Sequence, residues 1–160
     1  MKLKNFDHIV LTTGHLEECL HFYRDFLDMT VVFDKGRYAL LFGNCKINIH
    51  RRPGEFQPAA AYPVSGSIDL CIITDTPMEK VRSELLAKGA PVITDVVDRH
   101  GARGPMKSIY LRDPDGNLIE IARYIRQAGQ TEVSVKFSSV IHLTVDNYYL
   151  RGFGFISISV

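Results

Sequence analysis

Hydrophobic and polar positions alternate in short runs along the chain, and longer stretches carry apolar residues at helical spacing. In the first part of the sequence, alternation marks four strands, at 6–12, 29–33, 38–42 and 46–51. Between the first two of these strands, His15 to Asp28 carries one apolar stripe with a helical period. The pattern therefore predicts the element order β-α-β-β-β.

The same order of elements returns further along the chain. Alternation marks four more strands, at 68–74, 91–97, 108–111 and 117–124. A helix is predicted from Thr76-Pro77 to about Lys88, with Thr76 as its cap, Pro77 in its first turn and Gly89 as the residue that ends it. The polar, glycine-containing residues 98–107 are predicted to form a loop.

This repetition predicts an α+β fold built from two βαβββ modules, at about 4–52 and 67–125. The linker between them, 53–66, is rich in proline and glycine and has no periodic apolar run. Each module has only one helix for four strands, which argues against a doubly wound parallel sheet. We expect residues 4–125 to form the domain and residues 126–160 a C-terminal extension.

Alternate residues of a strand point to opposite sides of its sheet. The aliphatic pairs at 9/11, 47/49, 70/72 and 119/121 can supply a floor for the helices. The other side then receives one ionisable residue from each of these strands: His8, His50, Asp69 and Glu120. If both modules curve the same way, these four side chains line one concavity and form a candidate metal site.

Imidazole and carboxylate ligands suit Zn, Ni, Mn, Fe or Co better than calcium. Each residue taken singly has an ordinary alternative. A strand histidine is commonly a surface residue or a satisfied core residue, Asp69 can cap a turn or pair with a base, and Glu120 can face water. The joint pattern over four strands is what favours a divalent metal.

Charge and cysteine content narrow the function classes. The formal net charge is +1, so electrostatics gives no argument for a nucleic-acid or acidic-membrane partner. No apolar stretch is long enough for a secretory or membrane-spanning segment. The widely spaced Cys19, Cys45 and Cys71 fit reduced thiols, which predicts a cytoplasmic protein without membrane attachment.

Three segments carry a resemblance to a known family. They are the strand opening at 6–11 (FDHIVL), the helix at 22–27 (FYRDFL) and the turn with its strand at 113–120 (DPDGNLIE). Together they resemble the vicinal oxygen chelate superfamily, which includes glyoxalase I, fosfomycin-resistance proteins, bleomycin-resistance proteins and extradiol dioxygenases. Residues 46–50, 55–58, 69–74 and 108–110 further resemble the group of glyoxalase domain-containing protein 5. The resemblance covers about residues 4–125.

The resemblance implies the glyoxalase/bleomycin-resistance/dioxygenase fold, in which paired βαβββ modules form a cupped mixed sheet around a divalent metal. It implies His8 and Glu120 as ligands first, and Glu120 and His50 as catalytic candidates. The position of the second module that matches His8 is commonly His in related proteins, whereas here it is Asp69. The position of the first module that matches Glu120 is Asn48, with His50 two residues on. These departures leave open whether Asp69 or His50 completes the site.

The loop residues Arg99 and Arg103 are candidates for holding an anionic substrate, with a solvated loop as the alternative. The leading functional hypothesis is a metal-dependent lyase or isomerase of glyoxalase type acting on a small oxygenated substrate. The alternatives are an extradiol-type dioxygenase using Fe(II) and a metal-free small-molecule-binding protein. The resemblance also admits a homodimer, because family members often pair modules across chains.

Overall fold

The computed structural model describes residues 1–125, so the predictions made for 126–160 lie outside the described residues. The first half forms a four-stranded sheet, here called sheet A, with the order β1-β4-β3-β2. Its strands are β1 (His8–Thr12), β2 (Thr30–Asp34), β3 (Arg37–Phe42) and β4 (Cys45–His50). β1 and β4 are parallel, and the other neighbours are antiparallel.

The second half repeats this topology in a four-stranded sheet B with the order β5-β8-β7-β6. Its strands are β5 (Asp69–Ile73), β6 (Val97–Gly101), β7 (Gly104–Arg112) and β8 (Leu118–Tyr124). β5 and β8 are parallel, and β6, β7 and β8 are antiparallel. The predicted α+β fold with a duplicated strand order is confirmed.

The two helices occupy the predicted places. In the first half, α1 (Leu16–His21) continues into a π-helical turn (Phe22–Phe26), which places Phe22 and Tyr23 in the core. In the second half, α2 spans Met78–Ala87, and Gly89 follows it with φ +71°, in the left-handed region that glycine favours.

The start of α2 differs from the prediction. Pro77 is the cap residue rather than a residue of the first turn, because its ψ of 134° is extended. Thr76 is not the cap residue, because Pro77 holds that position; the backbone N–H of Thr76 donates to Thr74 Oγ1 at 3.1 Å. Proline before the first helical residue is still favourable, because the missing N–H would have had no partner inside the helix.

The segment between α2 and β7 corrects two further predictions. Residues 91–97 form no continuous strand; Val92 makes an isolated bridge to Leu111, and β6 begins at Val97. Residues 98–107, predicted to be a loop, belong mainly to the β6–β7 hairpin. Most side chains in β6 are exposed, so this edge strand lacks the apolar alternation by which strands are recognised in sequence.

The aliphatic sides of both sheets contribute to one hydrophobic core, as predicted. Ile47 and Ile49 of sheet A are 1% exposed, and Ile119 and Ile121 of sheet B are 0% and 7% exposed. The buried faces of α1 and α2 belong to the same cluster. The polar sides of the sheets therefore lie away from the core and are free to carry chemistry.

Polar contacts also tie the two halves together. The backbone N–H of Gly14 and a ring nitrogen of His15 contact Oδ1 of Asp115 at 2.9 and 3.2 Å. At the other end of the helices, Lys88 Nζ donates to Asp28 Oδ1 at 2.7 Å. No helix within residues 1–125 is long and apolar enough to cross a membrane.

Candidate active site

Glu120 lies at the centre of the polar side of sheet B. It is paired with Cys71 of β5 on one side and with Tyr110 of β7 on the other, so these three residues form one row across the sheet. Glu120 is only 8% exposed, and its Oε1 has no hydrogen-bond partner among the described residues. A buried carboxylate oxygen without a donor is costly, which marks this position as a candidate functional group.

The neighbours of Glu120 respond to its charge. The pKa of the Cys71 thiol is raised to about 11, first because the thiol is partly buried and second because the Glu120 carboxylate lies beside it. Burial also raises the pKa of Tyr110, the Arg99 guanidinium opposes this, and Glu120 again raises it. Arg99 Nε donates to the Tyr110 hydroxyl at 3.0 Å, which fixes that hydroxyl near the carboxylate.

Asp69 lies on the same side of sheet B as Cys71, two residues earlier in β5. Its register partner in β8 is Leu118, two residues before Glu120. Asp69 is exposed and contributes to the raised pKa of Cys71. The two carboxylates therefore occupy diagonal positions on neighbouring strands of one polar face.

His8 opens β1 at the edge of sheet A. Its side chain is 46% exposed, and Nδ1 lies 2.7 Å from Oδ1 of Asp7. Together with Phe6, Cys71 and several aliphatic residues, His8 lines a cleft of about 530 Å³ that runs between β1 and β5. His8 and the β5 strand that carries Asp69 and Cys71 therefore meet at one surface opening.

His50 lies at the end of β4 and packs against Phe56, with ring centroids 5.1 Å apart. The register shows that Asn48, not His50, occupies the position of β4 that corresponds to Glu120 in β8. Asn48 is flanked by Val10 and Ala39, just as Glu120 is flanked by Cys71 and Tyr110.

The two arginines of the predicted loop have separate positions. Arg99 is on the Glu120 side of sheet B, where its guanidinium contacts Tyr110. Arg103 lies in the β6–β7 turn, and its guanidinium carbon is 4.4 Å from the ring centroid of Tyr124. Arg99 is therefore adjacent to the row that contains Glu120, and Arg103 is held at the tip of the hairpin.

Within the part of the chain that the structure describes, no three His, Cys, Asp or Glu side chains are grouped closely enough to hold a metal ion. The chemistry of Glu120 nevertheless fits a metal ligand, because its buried Oε1 lacks a donor. Glu120 and Asp69 share one polar face, whereas His8 belongs to the other sheet. One copy of residues 1–125 thus presents separate parts of a ligand set.

Sequence reasoning did not assign a role to Tyr110 or Cys71. Both follow from the register once β7, β8 and β5 are paired. A signal was present in the sequence, because the tight turn at 113–117 aligns Leu111 with Ile119 and therefore Tyr110 with Glu120. The contact of Arg99 with Tyr110 depended on the hairpin that had been predicted as a loop.

Comparison with known proteins identifies the family. The model of the Glyoxalase/Bleomycin resistance protein/Dioxygenase superfamily matches residues 5–121. The chain therefore belongs to this superfamily.

Similar proteins agree with this family. Virulence protein STM3117 of Salmonella typhimurium is 46% identical over 126 residues, which cover 78% of this chain and 88% of the relative. Its crystal structure superposes with a TM-score of 0.75 and is covered completely, 100% of that chain against 78% of this one. Glyoxalase domain-containing protein RDO1 of Mycosarcoma maydis is 42% identical over 125 residues, 78% of this chain and 70% of the relative.

A third relative is an integron cassette protein from the mobile metagenome of V. cholerae. Its structure is 43% identical, gives a TM-score of 0.74 and is matched over 98% of its chain and 78% of this one. These likenesses confirm the predicted superfamily, while the narrower group of glyoxalase domain-containing protein 5 stays a prediction.

Proposed function

We propose that the protein is a divalent-metal-dependent lyase or isomerase of glyoxalase type that acts on a small oxygenated substrate. The observation that carries this proposal is the buried Oε1 of Glu120 on the polar side of sheet B, which has no hydrogen-bond partner among residues 1–125. A buried polar group without a partner destabilises a fold, so such a group normally has a functional role. A metal ligand or a proton-transferring carboxylate fits this position.

The ligands proposed for the metal are Glu120, His8 and Asp69. Because residues 1–125 of a single copy do not gather three such donors, we propose that His8 of a second copy completes the set in a homodimer. His50 is left outside this set, because it packs on the same ring as the Arg37 guanidinium, and a fixed cation disfavours a metal nearby.

The bound metal would act as a Lewis acid that polarises two adjacent oxygens of the substrate. The protein contributes the surrounding polar groups. The Tyr110 hydroxyl, fixed by Arg99 at 3.0 Å, is placed to donate a hydrogen bond to a substrate oxygen. Glu120, or Asp69 on the same face, supplies the carboxylate that moves a proton in an isomerisation.

Metal content tests the proposal directly. The parent protein and the variants Glu120→Gln, His8→Ala and His100→Ala are loaded with Zn, Ni, Mn, Fe(II) or Co, desalted and analysed for bound metal. His100 is an exposed histidine of β6 and serves as the matched control. We expect metal loss in the first two variants and retention in the third. Parent-level metal in Glu120→Gln would disprove the metal site.

A mixture of variants tests the shared site. If His8 and Glu120 come from different copies, mixing equal amounts of His8→Ala and Glu120→Gln chains restores about a quarter of the parent metal, since half of the random dimers contain one intact site of two. If both residues come from the same copy, the mixture restores none. Activity with a methylglyoxal–glutathione hemithioacetal then tests the lyase reaction.

The cleft of about 530 Å³ beside His8 favours a second candidate, a metal-free small-molecule-binding protein. Its walls are largely aliphatic and aromatic, which suits an apolar ligand body. Binding of anilinonaphthalene sulfonate to chelator-treated protein, with Ile73→Asp as the cleft variant and Ile93→Asp as an exposed control, tests this candidate.

A further inference from the structure

The polar side of sheet A carries a cluster of donor groups that the proposed metal site does not use. Arg37 opens β3, and His50 ends β4, which is the neighbouring strand. Both side chains contact one ring. The guanidinium carbon of Arg37 lies 4.1 Å from the ring centroid of Phe56, and the His50 ring lies 5.1 Å from it.

Stacking on Phe56 orients the Arg37 guanidinium while leaving its N–H groups available. Across residues 1–125, Arg37 makes no ion pair and no side-chain hydrogen bond; the ion pairs of this region belong to other arginines, for example Arg51. Asp34 faces Arg37 across the β2–β3 hairpin, and the pair does not reach ion-pair distance. Arg37 is thus an oriented cation without a bound counter-charge among the described residues.

The acidic residue of the adjoining loop does not neutralise Arg37. Glu55 accepts hydrogen bonds at 2.6 Å from the backbone N–H and from Nε of Arg51. Burial opposes the ionisation of Glu55, but the Arg51 hydrogen bonds prevail and lower its pKa. The loop carboxylate is therefore already matched, which leaves the positive charge of Arg37 for an external anion.

The face extends along β4 to Asn48. Its side-chain amide makes no hydrogen bond within the described region, and it stands on the same side of the strand as His50. Asn48 also occupies the position that corresponds to Glu120 in the other sheet. The guanidinium, imidazole and amide donors consequently share one face of sheet A, whereas the corresponding face of sheet B carries the carboxylate of Glu120.

We propose that Arg37, His50 and Asn48 form a binding site for the carboxylate group of a small-molecule ligand. A planar guanidinium that stacks on an aromatic ring keeps the N–H groups of its edge available, and two of these N–H groups match the two oxygens of a carboxylate. The flanking acids Asp34 and Glu55 favour a single negative charge over a phosphate dianion. This inference rests on the proposed function, because the carboxylate ligand is taken to be the substrate of the proposed enzyme. That substrate would then be a carboxylate with adjacent oxygens.

Pyruvate is the probe, since it combines a carboxylate with a neighbouring keto oxygen. Its binding to chelator-treated full-length protein is followed by titration calorimetry and by NMR shifts of the Arg37 side chain. We expect Arg37→Gln to weaken binding at least about tenfold, and Phe56→Leu to weaken it less. The control is Arg82→Gln, because Arg82 is an arginine of α2 whose guanidinium is already paired with Asp95.

Neutral hydroxyacetone and inorganic phosphate complete the experiment. We expect hydroxyacetone to bind more weakly than pyruvate in the parent and equally in parent and Arg37→Gln. The inference would be overturned if pyruvate did not bind, or if phosphate bound more tightly than pyruvate. It would also be overturned if Arg37→Gln and the parent bound pyruvate equally with an unchanged melting temperature. Glu120→Gln separates the two proposals, since it should lose metal and keep pyruvate binding.

Discussion

The hydroxyl of Tyr23 donates a 2.9 Å hydrogen bond to Oδ2 of Asp113, so the helical segment of the first module is joined to the β7–β8 turn of the second. Both residues are buried. Asp113 also accepts hydrogen bonds from the backbone N–H of Asn117 at 2.9 Å and from its side-chain amide at 2.8 Å. The turn that positions β8, and with it Glu120, is therefore fixed by a contact between the modules.

Replacing Tyr23 by Phe should lower the free energy of unfolding by about 1 to 3 kcal/mol, because a buried carboxylate loses one donor while the ring remains. Urea unfolding followed by circular dichroism measures this change. Tyr62→Phe is the control, since Tyr62 is 86% exposed and should show little change. Equal stabilities of the Tyr23 and Tyr62 variants would show that the contact contributes nothing.

Two buried carboxylates should respond in opposite directions to neutralisation. Glu120→Gln should stabilise the chelator-treated protein by about 1 kcal/mol, since it removes a charge whose Oε1 has no donor in the described region. Asp113→Asn should destabilise it by about 2 kcal/mol, because the Asp113 carboxylate is fully engaged by donors. Thermal unfolding of both variants measures the contrast, and a destabilised Glu120→Gln would contradict the functional reading of that residue.

Alkaline pH should destabilise the fold through Cys19. Burial raises the pKa of its thiol from 9.0 to about 12, and Asp113 adds to the rise. Since the unfolded chain releases this proton first, the stabilisation is complete below about pH 9 and is lost as pH rises toward 12. Tyr23, whose pKa is also raised, adds to the same trend.

Unfolding free energies measured from about pH 8 to about pH 11 test this prediction. Each proton released only by the unfolded state contributes a slope of up to about 1.4 kcal/mol per pH unit. The slope should be shallower in Cys19→Ala, whatever the stability of that variant at neutral pH. An identical slope in the variant and the parent would contradict a role for Cys19.

Gly66 should be the least replaceable glycine of the linker. Its φ is +74°, and an added Cβ would lie 2.5 Å from the carbonyl oxygen of Asp115. Gly66→Ala should therefore cost about 3 kcal/mol, combining left-handed strain with a backbone clash. Gly36→Ala isolates the strain, because φ is +78° there and the space is open, so it should cost about 1 kcal/mol. Similar melting temperatures for the two variants would exclude the clash.

The strands and the side of each strand that faces the core were predictable because alternation is a local property. Ile47, Ile49, Ile119 and Ile121 were assigned to the core in sequence and are buried there. The β6 strand was not recognised, since its Asp-Arg-His sequence has no apolar alternation and it is held by pairing with β7. Local pattern thus located the strands that bury a face and missed the exposed edge.

Contacts between distant segments were less accessible from the sequence. Glu120 was identified because it lies opposite the aliphatic pair of its strand and within a segment that resembles the family, but its neighbours Cys71 and Tyr110 depend on the register of three strands. The packing of Arg37 on Phe56 depends on the course of the linker after β4, which has no periodic pattern. How His8 relates to Glu120 is a property of the assembled site, and it stays a prediction.

Sheet A contains an uncharged copy of the carboxylate position. Asn48 repeats the register of Glu120, with Val10 and Ala39 in place of Cys71 and Tyr110. Ala39 is buried, whereas Asn48 is half-buried and Val10 is exposed. Asn48 can therefore be exchanged without redesigning the interior. A change of Asn48 to Glu would give both halves the same acidic group and turn a chemically lopsided duplicate into a symmetric one.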